Sequence, residues 1–168
     1  MNFDIKRTGR AVLHVTDLEK SKEFYESLGL IETESDDENV FYRAIEDHNH
    51  HCLWLRKMPE AAVEVISYRV DSEEDLDKLA DFFEAEGTEV IWMEKGMQPA
   101  IGRTLRVQDV SGIPCEYYYE MDKVERMLQR FDVHVGAKVQ RIDHFNCAVP
   151  DVQKAYDYYI DKLGCAWS

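Results

Sequence analysis

A chain of 168 residues with 20 Lys plus Arg against 34 Asp plus Glu, a formal net charge of −14, suits one compact domain and repels phosphate backbones and anionic lipid heads. Nucleic acid and membrane surfaces are therefore excluded as partners. No apolar run approaches the roughly 20 residues of a bilayer span, and Met1-Asn2-Phe3-Asp4-Ile5-Lys6-Arg7 lacks the apolar stretch of a signal peptide, so the cytoplasm is the expected compartment.

Arg10 to Thr16 alternates as a strand does. Asp17 then caps a segment whose Leu18, Phe24, Tyr25 and Leu28 recur at helical spacing until Gly29 ends it. Three strand-like runs follow, Leu30 to Glu34, Val40 to Glu46 and His51 to Lys57, separated by Ser35-Asp36-Asp37-Glu38-Asn39 and by Asp47 to His50. The order is βαβββ. After Met58-Pro59-Glu60 it repeats: a strand from Val63 to Val70, a helix from Ser72 to Glu86 with Leu76, Leu79, Phe82 and Phe83 inward, and Gly87 as its stop. Strands from Glu89 to Glu94, Arg103 to Gln108 and Pro114 to Glu120 complete the second repeat. Ser72 and the acidic residues after it make a favourable helix start.

From Met121 to Lys138 the pattern turns helical and then loose, as a connector would. The repeat then begins a third time, with a strand opening at Arg141-Ile142-Asp143-His144-Phe145-Asn146 and a Tyr-rich helix from Val152 to Leu163 before Gly164. Lys22-Glu23-Phe24-Tyr25-Glu26-Ser27-Leu28-Gly29 and Asp157-Tyr158-Tyr159-Ile160-Asp161-Lys162-Leu163-Gly164 are the matching stretches. The three later strands of that repeat do not follow. A lone strand and helix bury too little to be stable, so this tail is expected to pack on the preceding domain, to pair with a second copy, or to be the stub of a longer protein, the last being preferred. The fold class is α+β: paired βαβββ repeats, 10–57 and 63–120, in an amino-terminal domain 1–122, a connector 123–139, and the start of a further domain, 140–168.

The runs Tyr68-Arg69-Val70, Gly102-Arg103-Thr104-Leu105-Arg106-Val107-Gln108-Asp109, Gly112-Ile113-Pro114-Cys115-Glu116-Tyr117-Tyr118-Tyr119-Glu120, Val124-Glu125-Arg126 and Arg141-Ile142-Asp143-His144-Phe145-Asn146 span both repeats, the connector and the tail. Over these the chain resembles the homoprotocatechuate (3,4-dihydroxyphenylacetate) 2,3-dioxygenases. These belong with the catechol 2,3-dioxygenases among the type I extradiol enzymes of the vicinal oxygen chelate superfamily. The resemblance implies an Fe(II) or Mn(II) site of two His and one carboxylate in the carboxy-terminal pair of repeats, with a catecholic substrate and O2 as reactants. It places His144 at the first metal-ligand position and Asn146, on the same strand face, near the substrate. The second His, the carboxylate and an acid/base His would lie past Ser168, so no catalytic residue is expected within this chain and the fragment is expected to be inactive and metal-free. Homo-oligomers are implied as well.

In the third repeat His144 precedes Asp151 by seven residues, and seven before Asp17 stands Arg10, which has no lone pair for a metal. The second repeat offers Glu64 and Val65 on the matching strand and Glu116 where a carboxylate ligand would sit. This is a poor set for Fe(II), and a pairing of Arg10 with Glu116 in its place is the expectation.

Other candidates read more plainly. His48, His50 and His51 lie at a turn without carboxylates around them, suited to adventitious nickel or zinc; His14 is expected to pack in the core. Tyr117-Tyr118-Tyr119 and Trp92 are core aromatics before they are a binding groove, and Asp36-Asp37-Glu38 is a solvated loop rather than a calcium site. Cys52, Cys115, Cys147 and Cys165 are widely spaced with no CxxC pair and read as reduced thiols, mostly buried. Two functions remain: the amino-terminal part of an extradiol dioxygenase, or a metal-free binding or assembly domain of the same fold.

Overall fold

The computed structural model of the protein describes residues 3–166. Both expected βαβββ repeats form, and the architecture is α+β. The first repeat consists of β1 (Ile5–Val15), α1 (Leu18–Ser27), β2 (Ile31–Ser35), β3 (Asn39–Arg43) and β4 (Leu53–Lys57). The second consists of β5 (Ala62–Val70), α2 (Glu73–Ala85), β6 (Ile91–Met93), β7 (Thr104–Gln108) and β8 (Pro114–Tyr118). The hydrogen-bonded strand order is β2-β3-β4-β1 in the first and β6-β7-β8-β5 in the second, so the repeat seen in sequence is a repeat of topology.

Local chemistry sets the helix limits. The Asp17 carboxylate accepts from the Lys20 amide and the Ser72 hydroxyl from the Asp75 amide, each satisfying an amide that the first helical turn leaves unpaired. Gly29 and Gly87, at φ +94° and +76°, end the two helices in the left-handed conformation that costs glycine nothing. On α2, Leu76, Leu79 and Phe83 are fully buried and Phe82 is half-buried. On α1 the expected inward stripe is narrower, because only Leu18 is buried and Phe24 stands 57% exposed, its ring edge against Tyr25 at 5.0 Å.

The chain divides into two compact units. One comprises Gly9–Ile66 and Met121–Asp143; the other comprises the described residues of Met1–Thr8, Ser67–Glu120 and His144–Ser168. In the first unit β1 runs parallel to β4 from Ala11↔Leu53 to Val15↔Lys57, and β2-β3-β4 is an antiparallel meander with a bulge between Glu32 and Glu34. Its core cluster joins Val12, Phe41, Trp54 and Val65. In the second unit β6-β7-β8 is antiparallel, with Arg106 directly opposite Glu116. Tyr68, Tyr117 and Phe83 stack in sequence at 5.7 and 5.6 Å.

Three sequence expectations are corrected. The connector is not helical: Met121 to Lys138 carries one short 3₁₀ turn at Phe131–Val133, and its start is held by backbone bonds to the first repeat, His50 N–H to Asp122 O and Val124 N–H to His48 O. β1 starts five residues earlier than its alternation suggests, at Ile5. Arg141 to Asn146 forms no strand, although its side chains do make contacts, Arg141 with Glu46 and Asp143 and Phe145 with Tyr68. The helix after it does form, as α3 (Val152–Asp157) continued by a π-helical turn at Tyr158–Lys162, capped by Asp151 and ended by Gly164. Among the described residues no helix is long and apolar enough to cross a membrane.

Candidate functional site

The inner face of the second unit is built around Glu116. β8 alternates so that Cys115 and Tyr117 face the stacked aromatics while Glu116 faces the other way, opposite Arg106 of β7. Glu116 is fully buried, and its carboxylate accepts from Ser67 Oγ (2.8 Å), Gln98 Nε2 (2.8 Å), Thr104 Oγ1 (3.2 Å) and Arg106 Nε (3.0 Å). Arg106 Nη2 also donates to Gln98 Oε1 at 2.9 Å. Four donors, one of them cationic, satisfy a carboxylate whose oxygens offer about four lone pairs, so the group is saturated as an acceptor.

The corresponding face of the first unit carries cations and aromatics. Arg10, fully buried on β1, donates to His51 Nε2 at 2.8 Å and lies 5.7 Å from the centre of the Trp54 ring. His51 Nδ1 meets His50 Nδ1 at 3.0 Å, and His50 Nε2 lies 3.2 Å from Glu34 Oε2. Burial, with the Arg10 cation and His50 beside it, holds the His51 imidazole well below its usual range, so it is neutral at physiological pH. His14 does not pack as an apolar core residue: its Nε2 meets Glu64 Oε2 at 2.9 Å, and Arg56 binds the same oxygen.

A third feature is a cleft of about 360 Å³ in the second unit, between Tyr68 of β5 and the helical tail, lined by Tyr68, Phe145, Cys147, Val152, Tyr156 and Tyr159. Tyr159 donates to Asp109 Oδ2 at 2.7 Å, and its hydroxyl lies 3.8 Å from Cys115 Sγ. Burial pushes the Cys115 thiol up to about 12 and raises Cys52 and Tyr159 strongly, so the buried thiols are not nucleophiles.

His144 and Asn146 are exposed in the irregular segment before α3. Among the described residues of the second unit they do not join Glu116 in a ligand set. Among the described residues no three His, Cys, Asp or Glu side chains converge as a metal site. The carboxylate in the expected ligand position, Glu116, has its acceptors filled, so the residues present do not fit an Fe(II) or Mn(II) ion. Tyr117 and Tyr118 are core residues, Trp92 lies under Arg103 at 4.4 Å, and Asp36 closes its own turn on the amides of Glu38 and Asn39. Sequence reasoning missed Gln98, Thr104 and Ser67 around Glu116 and the burial of His51. The available signal was the alternation of polar Thr104, Arg106 and Gln108 with apolar Leu105 and Val107 along one strand.

Residues 7–117 match the model of the glyoxalase/bleomycin resistance protein/dioxygenase superfamily. The chain is 31% identical to a manganese-dependent 2,3-dihydroxybiphenyl 1,2-dioxygenase of Geobacillus genomosp. 3, over 98% of this chain and 55% of that protein. Homoprotocatechuate 2,3-dioxygenase of Arthrobacter globiformis superposes with a TM-score of 0.91 at 39% identity, covering 96% of this chain and 50% of that one. The Brevibacterium fuscum enzyme, solved with 3,4-dihydroxyphenylacetate, gives 0.91 at 38% identity, over 95% and 50%. The chain thus spans about half the length of the relatives it matches.

Proposed function

Because the chain belongs to the glyoxalase/bleomycin resistance protein/dioxygenase superfamily, we propose that it is the amino-terminal, non-catalytic part of an extradiol catechol dioxygenase. One observation carries this reading. The chain matches such enzymes along nearly its whole length and about half of theirs. Residues 1–122 form the amino-terminal domain, 123–139 the connector, and 140–168 the opening of the catalytic domain.

In the complete enzyme His144 would supply one of two histidines beside a carboxylate on Fe(II) or Mn(II), and Asn146 would stand next to the bound catechol. When bound, the metal would supply chelation of the diol and activation of O2. What this chain itself contributes is scaffold. Its two repeats bury their own polar groups, and its tail carries the segment with His144. A catechol with an acidic side chain and a homo-oligomeric enzyme belong to the same proposal, supported by the kinship with homoprotocatechuate dioxygenases.

The test is ring cleavage of 3,4-dihydroxyphenylacetate by the purified chain after anaerobic loading with Fe(II), followed as the yellow ring-opened product. No turnover by a folded chain is expected; turnover would overturn the non-catalytic assignment. A second reading, a metal-free binding or assembly domain, is favoured by the saturation of Glu116. Joining the chain to the carboxy-terminal half of a related dioxygenase separates the two. Ring cleavage by the joined protein supports the enzyme part, and a folded but inactive joined protein supports the binding domain.

A further inference from the structure

The network around Glu116 lies wholly within the second unit, and the dioxygenase assignment makes no use of it. Its members come from separate elements: Ser67 from β5, Thr104 and Arg106 from β7, Glu116 from β8, and Gln98 from the loop between β6 and β7. That loop is bent to deliver Gln98. Ala100, two residues on, sits at φ +58°, a left-handed backbone that residues with a side chain rarely adopt, and the Gln98 carboxamide is buried inside the network.

Four oxygen-bearing side chains are thus gathered in one buried place, and their oxygens are of the kind a hard divalent cation takes: a carboxylate, an amide carbonyl and two hydroxyls. The guanidinium of Arg106 takes two of them at once, Nε donating to Glu116 Oε2 at 3.0 Å and Nη2 to Gln98 Oε1 at 2.9 Å. The other two stand about the same carboxylate, Ser67 Oγ 2.8 Å from Oε1 and Thr104 Oγ1 3.2 Å from Oε2. Arg106 is partly exposed while the other four side chains are buried. A positive charge is therefore already seated against the carboxylate, and a divalent ion entering beside it would meet like-charge repulsion in a dry site.

We propose that Arg106 is a built-in substitute for a divalent metal: its guanidinium occupies a cation position framed by Glu116, Gln98, Thr104 and Ser67 and shuts that position to free ions. The misfit between Glu116 and Fe(II) or Mn(II) then has one cause, and that cause stands apart from the dioxygenase assignment.

The test is Mn(II) binding to the intact chain, followed by water-proton relaxation and by the thermal unfolding midpoint. Arg106→Ala removes the guanidinium and leaves the oxygens. It is expected to bind one Mn(II) per chain about tenfold or more tightly than the natural chain does, with a midpoint that is lowered without the ion and rises with it. Adding Glu116→Gln should abolish the gain, and Arg106→Lys, which keeps the positive charge, should bind no better than the natural chain. Equal Mn(II) binding by the natural chain and Arg106→Ala, a gain that survives Glu116→Gln, or an equal gain in Arg106→Lys would each overturn the proposal. If Arg106→Ala is unfolded with and without the ion, Arg106→Gln, uncharged but able to keep a hydrogen bond to Gln98, is titrated in its place and judged by the same outcomes.

Discussion

The Tyr159 hydroxyl donates to Asp109 Oδ2 at 2.7 Å across fifty residues of sequence, while Asp109 Oδ1 accepts the amides of Ser111 and Ile113. One carboxylate thus shapes the β7–β8 turn and holds the helical tail to the second unit. Phe145 against Tyr68 at 5.9 Å and the Lys162–Glu86 ion pair add to the same attachment.

Tyr159→Phe should leave the turn intact, because two amides still bind Asp109, but free one end of the tail. We expect a loss of about 1–2 kcal/mol and faster proteolysis within residues 144–165, with the repeats uncut. Limited proteolysis with mass mapping measures it; unchanged cleavage would show that the Tyr159–Asp109 bond is not needed to hold the tail.

Glu116→Ala strands the donors of Ser67, Gln98, Thr104 and Arg106 in a dry interior. Removing one partner of such a buried charged network costs about 3–5 kcal/mol, so urea denaturation should show a large fall in midpoint. Glu116→Gln, which keeps the shape and part of the acceptor set, should cost less.

The depressed His51 imidazole fixes the sign of one pH effect. Below the ordinary histidine value of 6.5 the unfolded chain takes up a proton that the folded chain refuses, so this contribution is fully present above that pH and is lost as pH falls. Urea midpoints measured from pH about 8 to about 5 should decline, with a shallower decline in His51→Asn.

Gly136 and Gly87 both have positive φ, but only Gly136 lies against other backbone, where an added Cβ would overlap the Ser27 carbonyl; Gly87 meets nothing within 4 Å. Gly87→Ala should cost about 1–2 kcal/mol from conformation alone. Gly136→Ala should cost more, since the connector must lift off the end of α1. Thermal unfolding of the two variants compares them directly.

Cys147 is exposed, whereas Cys52 and Cys115 are buried with raised thiol pKa values. A thiol-reactive dye should therefore label Cys147 first and reach Cys52 and Cys115 only on unfolding. Intact-mass time courses read the order, and early labelling of Cys115 would contradict the packing of the tail over it.

The α+β class, both βαβββ repeats and the limits of α1, α2 and α3 were legible in the residues, because each depends on neighbours a few positions away. Asp17, Ser72 and Asp151 cap amides three residues on, and the glycines that stop the helices need only their own φ. Kinship to extradiol dioxygenases was likewise carried by short runs of residues. What only the tertiary structure decided were the features whose partners lie far off in sequence. Arg141 to Asn146 has strand composition yet forms no strand, the connector runs as turns and irregular backbone instead of a helix, and Phe24 faces outward at helical core spacing. The roles of Glu116 and His51 belong with these. A carboxylate or an imidazole reads the same in sequence whether it awaits a metal or is closed by donors, and which applies is set by the side chains that folding delivers around it: Ser67, Gln98, Thr104 and Arg106 at one, Arg10 and His50 at the other.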